Sequence, residues 1–327
     1  MNLDIPAEVH RAERLIRSHT LHTPLLPSEP LGVGTGAAVW VKLENKQHTG
    51  SFKLRGALSA LLSLDTAVRA RGVVAASSGN HGAAVAYGAR LLGVPAMIFV
   101  PTDAAPAKIG KIQRYGAEIR RHGNDSLLSE QEARAHAAAN GLAYLSPYND
   151  PHVIGGQGTV GLELLRDLPG LDVVYVAVGG GGLIAGIAAA LKYANPAIQV
   201  IGCSPESSAA MIASVAAGRI VEVGHSPTIS DGTAGGIEPG AITFAPCRDL
   251  VDRYLTLPEA EIIAAMRLFM VAHGEPIEGA AGVAIAGLLR ERNLARGARV
   301  AVVICGGNID PALAASIRDG SPTSRTP

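Results

Sequence analysis

The chain of 327 residues contains little cysteine, few aromatic residues and no excess of charge. Its three cysteines, Cys203, Cys247 and Cys305, are dispersed and odd in number, so neither a disulfide framework nor a zinc site is indicated. Aromatic residues make up only 4 % of the chain, which argues against a module that stacks nucleobases. The 28 basic and 28 acidic residues cancel, so no net charge favours nucleic acid or an anionic membrane.

Long apolar runs are also absent from the sequence. No run approaches the length of a membrane span, although 48 % of the residues are hydrophobic. The first twenty residues, MNLDIPAEVHRAERLIRSHT, form a mixed-charge amphipathic pattern without the apolar centre of a signal peptide. We therefore expect a soluble cytoplasmic protein that has no membrane partner and works in a reducing compartment.

Glycine, in contrast, is abundant, with 39 residues. Short β-rich apolar runs alternate with helical segments rich in alanine and leucine, which predicts an α/β protein with a mostly parallel sheet covered on both faces. The segments that contain the predicted strands are 38–44, 72–79, 95–101, 117–123, 172–182, 198–207 and 298–308.

These strands fall into two series, and a compact block of strand–helix units ends near residue 150. Because no linker marks a clean boundary, we predict that one domain is inserted into another. The small domain comprises residues 70–149, and the large domain comprises residues 1–69 and 150–320. The terminal segment 321–327 is predicted to be disordered.

Several predicted strands end in clusters of glycine, serine or asparagine, which should converge on one crevice at the carboxyl edge of the sheet. The segment TGSFKLRGA, residues 49–57, adds a lysine at a helix start, with Ser51 as a candidate N-cap. Because the helix dipole disfavours an ammonium at that position, Lys53 is a candidate neutral nucleophile. The alternative is an ordinary solvated surface lysine.

The segment VAVGGGGLIAGIAAALKYA, residues 176–194, combines a buried strand, four glycines and an apolar helix. Glycines from Gly179 to Gly182 could form an anion nest at the helix N-terminus, for which a phosphate is the natural ligand. A tight structural turn is the alternative. A dinucleotide fingerprint through Gly180, Gly182 and Ala185 is also open, although Glu206 is a poor ribose ligand.

A second strand end, in ASSGNHGAAVAYGARLLG, carries Ser77, Ser78, Asn80 and His81. Helix capping explains one of these polar side chains but not all four, whereas a bound carboxylate explains the set. The last strong strand ends in VICGGNID, where the Cys305 thiol is either a small core group or a partner for a heteroaromatic nitrogen. A neutral lysine, a phosphate nest, a carboxylate loop and a weak donor together suit pyridoxal phosphate and an amino acid.

Seven motifs occur in order along residues 15–315: HTPLLPSEPL, KLENKQHTGSFKLRGA, ASSGNHG, IGGQGTVGLELL, VGGGGLIAGI, EGAAGVAIAGL and CGGNID. In these motifs the chain resembles the fold-type II pyridoxal-phosphate enzymes, in the branch of serine/threonine dehydratases and serine racemases. The resemblance implies a tryptophan synthase beta-like fold with two open, mostly parallel twisted sheets. It also implies a cofactor-binding large domain, a mobile substrate-binding small domain and a homodimer.

The resemblance further implies a role for each matching residue. Lys53 would form the Schiff base with the cofactor, the glycine loop would grip its phosphate, Asn80 would bind its ring hydroxyl and Cys305 would face its ring nitrogen. The implied cofactor-binding residues are Lys53, Phe52, Asn80, Gly179, Gly180, Gly181, Gly182, Leu183, Glu278 and Cys305. The implied ligands of the substrate carboxylate are Ser77, Ser78, Asn80 and His81.

The implied reaction is a dehydration of a 3-hydroxy-L-amino acid, such as L-threonine or L-serine, to a 2-oxo acid and ammonia. Lys53 would remove the α-proton, and the β-hydroxyl would leave as water. Three alternatives stay open: an amino acid racemase that uses Lys53 and Ser78 on opposite faces, a 3-aryl-serine dehydratase and a β-synthase that needs a thiol nucleophile. A non-enzymatic nucleotide-binding module is a rival from a different class, but it gives no reason for Lys53.

Two departures from the branch are visible. At the positions where racemase-like members bind a divalent cation the chain has Ser204 and Ala210, with only Glu206 acidic nearby, so the metal is unknown and a monovalent ion stays open. Residues 124–133 contain no arginine for a second substrate carboxylate, which makes hydroxyaspartate a less favoured substrate.

Overall fold

The computed structural model describes residues 3–224, 226–291, 294 and 296–321. The predicted disordered tail lies outside the described residues beyond Ser321. The strands are β1 (Leu25–Pro27), β2 (Ala38–Leu43), β3 (Val73–Ala76), β4 (Ala96–Val100), β5 (Glu118–Arg121), β6 (Ala143–Tyr144), β7 (Val173–Ala177), β8 (Gln199–Pro205), β9 (Arg253–Leu257) and β10 (Arg299–Ile304). The helices are α1 (Ile5–Ile16), α2 (Glu29–Gly32), α3 (Lys53–Ser63), α4 (Thr66–Arg71), α5 (Asn80–Leu92), α6 (Pro106–Gln113), α7 (Ser126–Asn140), α8 (Pro151–Asp167), α9 (Gly182–Ala194), α10 (Ala210–Ala217), α11 (Phe244–Leu250), α12 (Glu259–His273), α13 (Gly279–Arg290) and α14 (Pro311–Asp319).

The strands form two separate sheets. The larger has the order β1-β2-β10-β7-β8-β9, and the smaller has the order β5-β4-β3-β6. Every neighbouring pair is parallel except β1 with β2. The prediction of an α/β protein with two open, mostly parallel sheets is therefore confirmed. Each strand of the smaller sheet lies inside the predicted small domain, whose boundaries stay predictions.

Each sheet has its own hydrophobic core. The core of the larger sheet includes β7, β8 and β10 together with the apolar helices α9 and α13. The core of the smaller sheet includes β3, α5 and three leucines of α3, namely Leu54, Leu58 and Leu61. Full burial of a leucine contributes about 1.5–3 kcal/mol, so these three side chains fasten α3 to the core of the smaller sheet.

Local sequence explains where the helices near the crevice begin. Helix α8 begins with Pro151, whose fixed φ suits the first helical position, and the side chain of Asp150 accepts from the N–H groups of His152 and Val153. This cap fixes the start of α8 directly after residues 145–149. None of the described helices combines the length and the apolar composition needed to cross a membrane.

Candidate active site

The lysine indicated by the sequence is the first residue of α3. Phe52 occupies the N-cap position, so the suggestion that Ser51 caps this helix was wrong. Ser51 instead forms an isolated antiparallel bridge with Gly306, and its buried hydroxyl has no partner in the described part of the chain. The backbone N–H of Phe52 donates to the carbonyl of Cys305 at 3.0 Å, which fastens the start of α3 to the end of β10.

The amine of Lys53 lies in a half-buried and weakly polar environment. Its Nζ donates to the carbonyl of Pro147 at 2.9 Å and lies 5.1 Å from the centre of the Phe52 ring. Burial lowers the pKa of Lys53 to about 8, while the neighbouring Cys305 and Glu278 act in the opposite direction. Burial is thus the largest cause of the shift, and a substantial fraction of the amine is neutral at physiological pH.

A buried ion network lies beneath this helix. Arg55 is 1 % exposed and binds Glu44 at 2.8 Å and Glu163 at 2.6 Å. Lys42, which is completely buried, binds Glu163 at 2.6 Å. All the described partners of the Arg55 guanidinium lie within this network, so Arg55 has a structural role that anchors α3.

A second network joins three elements at the crevice. The amide of Asn80 donates to both oxygens of Glu278 at 2.9 Å, and its own oxygen accepts from the side chain of Asn308 at 2.7 Å. Asn308 also donates to the carbonyl of Thr49 at 2.8 Å, which fixes the orientation of both amides. Burial raises the pKa of Glu278, and Asn80 opposes that rise. A Cβ at position 306 would lie 2.6 Å from this carboxyl group, so Gly306 is needed there.

The glycine loop follows β7 and opens α9. Within the described hydrogen bonds, no protein group accepts from the backbone N–H groups of Gly179–Ile184. Gly181 has a φ of +86°, and a Cβ at Gly180 would lie 2.5 Å from the ring of Tyr148. The carbonyl of Gly180 accepts from the hydroxyl of Thr243 at 2.8 Å, so this carbonyl of the loop already has a partner. These donors at a helix N-terminus suit a phosphate.

The polar segment after β3 opens helix α5. The hydroxyl of Ser77 accepts from the N–H of Gly79 at 3.1 Å, while the half-buried hydroxyl of Ser78 has no partner in the described structure. The first backbone N–H groups of α5, from Asn80 to Gly82, likewise lack an acceptor among the described residues. Free donors beside two hydroxyl groups are suited to a carboxylate.

His81 differs from its neighbours in that segment. It is 3 % exposed, and its Nε2 lies 2.9 Å from the carbonyl of Leu145. Because a carbonyl can only accept, Nε2 carries the proton and Nδ1 is a lone pair that cannot donate to a carboxylate. Burial, aided by the nearby Lys53, lowers the pKa of His81 to about 3, so the ring is neutral at physiological pH.

Cys305 directly follows β10 and is 2 % exposed. Burial raises the pKa of its thiol well above the usual value, and Glu278 adds to the rise. The S–H group therefore stays protonated at neutral pH. Leu183, at the start of α9, is also buried.

The structure adds residues to which the sequence analysis assigned no role. Pro147 and Tyr148 lie between Lys53 and the glycine loop, and Asn308 orients Asn80. The polar run SPYND after the short strand β6 could have indicated Pro147 and Tyr148, because the other site motifs also follow strand ends. Asn308 likewise follows β10.

The three positions considered for a cation, 204, 206 and 210, lie in different environments. Ser204 is buried and donates to the carbonyl of Val178 at 2.8 Å, Ala210 is buried and Glu206 is exposed. The described residues contain no group of three or more His, Cys, Asp or Glu side chains placed to hold a metal ion.

The donor set fits a phosphorylated aromatic aldehyde. The unpaired N–H groups of the glycine loop could hold the phosphate, and the Lys53 amine of lowered pKa could react with the aldehyde. The neutral Cys305 thiol and the Asn80 amide would suit a heteroaromatic ring. The glycine loop also leaves no room for a Cβ on the side facing Tyr148. These features combine the cofactor and substrate motifs of the sequence in one crevice.

The comparisons with known proteins agree with this geometry. The family model described as pyridoxal-phosphate dependent enzyme matches residues 16–306. The L-threonine ammonia-lyase of Thermotoga maritima is 41 % identical over 304 residues, covering 93 % of this chain and 75 % of that protein. An L-threo-3-hydroxyaspartate ammonia-lyase of a Pseudomonas species is 38 % identical over 320 residues, covering 98 % and 100 %.

A solved structure of maize serine racemase superposes with a TM-score of 0.90 at 31 % identity, covering 94 % of each chain. This likeness confirms the tryptophan synthase beta-like fold implied by the resemblance. The cofactor of the family is pyridoxal phosphate. The chain therefore belongs to the fold-type II pyridoxal-phosphate-dependent enzymes, in the branch of threonine dehydratases and serine racemases.

Proposed function

We propose that this protein is a dehydratase that converts a 3-hydroxy-L-amino acid, such as L-threonine or L-serine, into a 2-oxo acid and ammonia. The observation that carries the proposal is the Lys53 amine at the start of α3. It donates to the carbonyl of Pro147 at 2.9 Å, and burial lowers its pKa to about 8. The similarity to a threonine ammonia-lyase at 41 % identity supports the same reaction class.

We assign the cofactor to groups that already converge in the crevice. The N–H groups of the glycine loop would hold its phosphate, Phe52 and the Asn80 amide would flank its ring, and the Cys305 thiol would face its ring nitrogen. When bound, pyridoxal phosphate supplies an electron-accepting ring that acidifies the α-hydrogen of an amino acid. A thiol that stays neutral cannot protonate that nitrogen permanently, which favours prompt loss of the β-hydroxyl.

The protein groups then perform three tasks. The hydroxyls of Ser77 and Ser78 and the free N–H groups of α5 orient the substrate carboxylate. The Lys53 amine, neutral in part at physiological pH, accepts the α-proton. The carbonyl of Pro147 accepts a hydrogen bond from the resulting ammonium and so holds the proton at Nζ.

Racemisation is the second candidate, and a specific observation favours it. The half-buried Ser78 hydroxyl has no partner among the described residues, so it is free to return a proton to a substrate. A serine racemase of Arabidopsis thaliana is 36 % identical to this chain over 309 residues. We propose dehydration as the main activity because a serine at this position also suits carboxylate binding.

The substrate side chain would lie near residues 230–244. This segment is rich in glycine and would shape the pocket around the β-substituent, which keeps the aryl group of phenylserine open as a substrate side chain. Arg134, the first arginine after the segment 124–133, is already bound by Glu130 and Glu238 at 2.7 and 2.8 Å. We therefore rank L-threo-3-hydroxyaspartate below the neutral substrates.

The test compares the wild-type holoenzyme with Lys53→Ala and with Lys192→Ala, a variant of a surface lysine paired with Asp252. L-serine, L-threonine, L-threo-phenylserine and L-threo-3-hydroxyaspartate are each assayed for 2-oxo acid release, together with the visible spectrum of the bound cofactor. We expect 2-oxo acid from wild type and Lys192→Ala, but not from Lys53→Ala. Release by Lys53→Ala at the wild-type rate would refute the assignment.

Ser78→Ala separates the two candidate activities. If the protein is chiefly a dehydratase, this substitution weakens substrate binding but leaves the enantiomer of the recovered amino acid unchanged. Appearance of D-serine in wild type, faster than 2-oxo acid and lost in Ser78→Ala, would identify a racemase instead.

A further inference from the structure

One buried histidine connects the polar segment after β3, which begins α5, to the lysine. His81 follows Asn80 at the start of α5, and its Nε2–H donates to the carbonyl of Leu145 at 2.9 Å. Two residues later, the carbonyl of Pro147 accepts from Lys53 Nζ, also at 2.9 Å. The start of α5 therefore contacts the segment that holds the lysine amine, while Asn80 contacts Glu278 on the other side.

The segment between these two carbonyls is pinned at its ends. The N–H of Leu145 donates to the carbonyl of Val74 at 2.8 Å, which continues the pairing of β6 with β3. The hydroxyl of Ser146, 4 % exposed, accepts from the N–H of Asn149 at 3.0 Å. Pro147 has no N–H group, so its carbonyl is its only backbone hydrogen-bonding group, and the described partner of that carbonyl is Lys53.

We propose that His81 is a positioning residue for Lys53. By donating to the carbonyl of Leu145, it keeps the Pro147 carbonyl in place as the acceptor for the lysine amine, and its side chain does not bind the substrate carboxylate. The inference rests on the proposed role of Lys53 as the base, and it revises the role that the family resemblance implies for His81.

Three observations support this role over a contact with the substrate. The tautomer required by the Leu145 carbonyl leaves only a lone pair at Nδ1, which a carboxylate would repel. That atom is buried and has no partner in the described structure. Finally, burial keeps the pKa of His81 at about 3, so the ring does not become a cationic ligand near neutral pH.

The decisive experiment measures the Lys53 amine directly in the cofactor-free full-length protein. Trace acetylation is followed by mass spectrometry of the Lys53 peptide between about pH 6 and 10, a range that covers the pKa of about 8. In His81→Leu the Lys53 ammonium loses a well-placed acceptor. The inflection in the curve of acetylation against pH should therefore move down by about one pH unit. His81→Gln keeps an N–H donor at the same distance from the backbone and should restore the wild-type inflection.

Holoenzyme kinetics provide the second readout. A misplaced base slows proton transfer, so kcat of His81→Leu should fall on the order of 10-fold while KM stays within about 2-fold. Ser129→Ala is the matched control, because Ser129 is also buried and donates to a backbone carbonyl, that of His122, at 2.7 Å, but makes no contact with Lys53. It should lose stability without a change in either readout.

An unchanged inflection in His81→Leu, or a raised KM at constant kcat, would overturn the proposal, as would a His81→Gln variant that behaves like His81→Leu. If His81→Leu does not fold, Ser146→Ala loosens the same segment from its other end and must shift the inflection downward; no shift refutes the idea. The acetylation readout needs no turnover, so it separates failure of this inference from failure of the proposed function, which Lys53→Ala tests.

Discussion

Replacing Gly181 by alanine tests whether the glycine loop is shaped for an anion or is merely a turn. Gly181 has a φ of +86°, a conformation that L-residues rarely adopt. A Cβ there would lie 2.7 Å from the sulfur of Cys247 and 2.8 Å from the terminal methyl of Met211. Both neighbours are buried, so neither can move into solvent.

Gly181→Ala should be destabilising for two reasons, the left-handed backbone conformation and the crowding around the added Cβ, and each has its own magnitude. A left-handed alanine costs roughly 1–2 kcal/mol, and overpacking a dense core costs about 1–3 kcal/mol, so Gly181→Ala should destabilise the protein by about 2–5 kcal/mol. Gly218→Ala is the control, because Gly218 has a φ of +68° and no atom within 4 Å of the added Cβ. It should show only the backbone penalty of about 1–2 kcal/mol.

The assay is urea unfolding of the cofactor-free variants, followed by titration with pyridoxal phosphate. Because a shifted loop also misplaces its free N–H groups, the affinity of Gly181→Ala for the cofactor should fall at least about tenfold, whereas Gly218→Ala should bind normally. Adding Cys247→Ala should restore part of the stability. Equal stability and equal cofactor affinity of the two glycine variants would refute the reasoning.

The remaining predictions concern the buried charges and thiols. Glu163→Gln removes one carboxylate from Arg55 and Lys42 and should lower the free energy of unfolding by about 3 kcal/mol. This value is at the low end of the range for a broken buried ion pair, because each cation keeps another partner. The surface variant Glu13→Gln, which loses only Arg166, should cost less than about 1 kcal/mol in the same urea unfolding assay. Burial raises the pKa of Glu163, but Arg55 and Lys42 outweigh it and hold the pKa below its usual value of 4.5, so this stabilisation is present above that pH and is lost as the pH falls further. Wild type should therefore lose more stability than Glu163→Gln below about pH 4.5, and equal losses would contradict the assignment. Iodoacetamide at neutral pH should leave the native thiols unmodified and label them only after unfolding, because burial raises the pKa values of Cys203, Cys247 and Cys305.

Sequence patterns predicted the long elements of the fold well. Each strand segment predicted from alternating or continuous apolar runs contains a strand of the structure, and Lys53 does begin a helix. The strands β1, β6 and β9 lie outside the predicted segments. Strand β1 has three residues, β6 has two and β9 is only partly buried, so none of them produces a strong apolar run.

Local sequence also determined the chemical character of the site. Glycines at a strand end leave N–H groups free, hydroxyl and amide side chains follow another strand, and a lysine begins a helix. These features can be read locally, because backbone conformation depends on neighbouring residues. Those groups and their order along the chain were enough to indicate the family and its cofactor.

Only the tertiary structure decided which groups touch. Burial, which lowers the pKa of Lys53, depends on Phe52, Pro147 and the packing of both sheets rather than on the helix start alone. The contact of His81 with Leu145 joins residues 64 positions apart, and that of Asn80 with Asn308 joins residues 228 apart. Hydrogen bonds over such separations arise only when the sheets are packed, because a local sequence pattern carries no information about the distant partner.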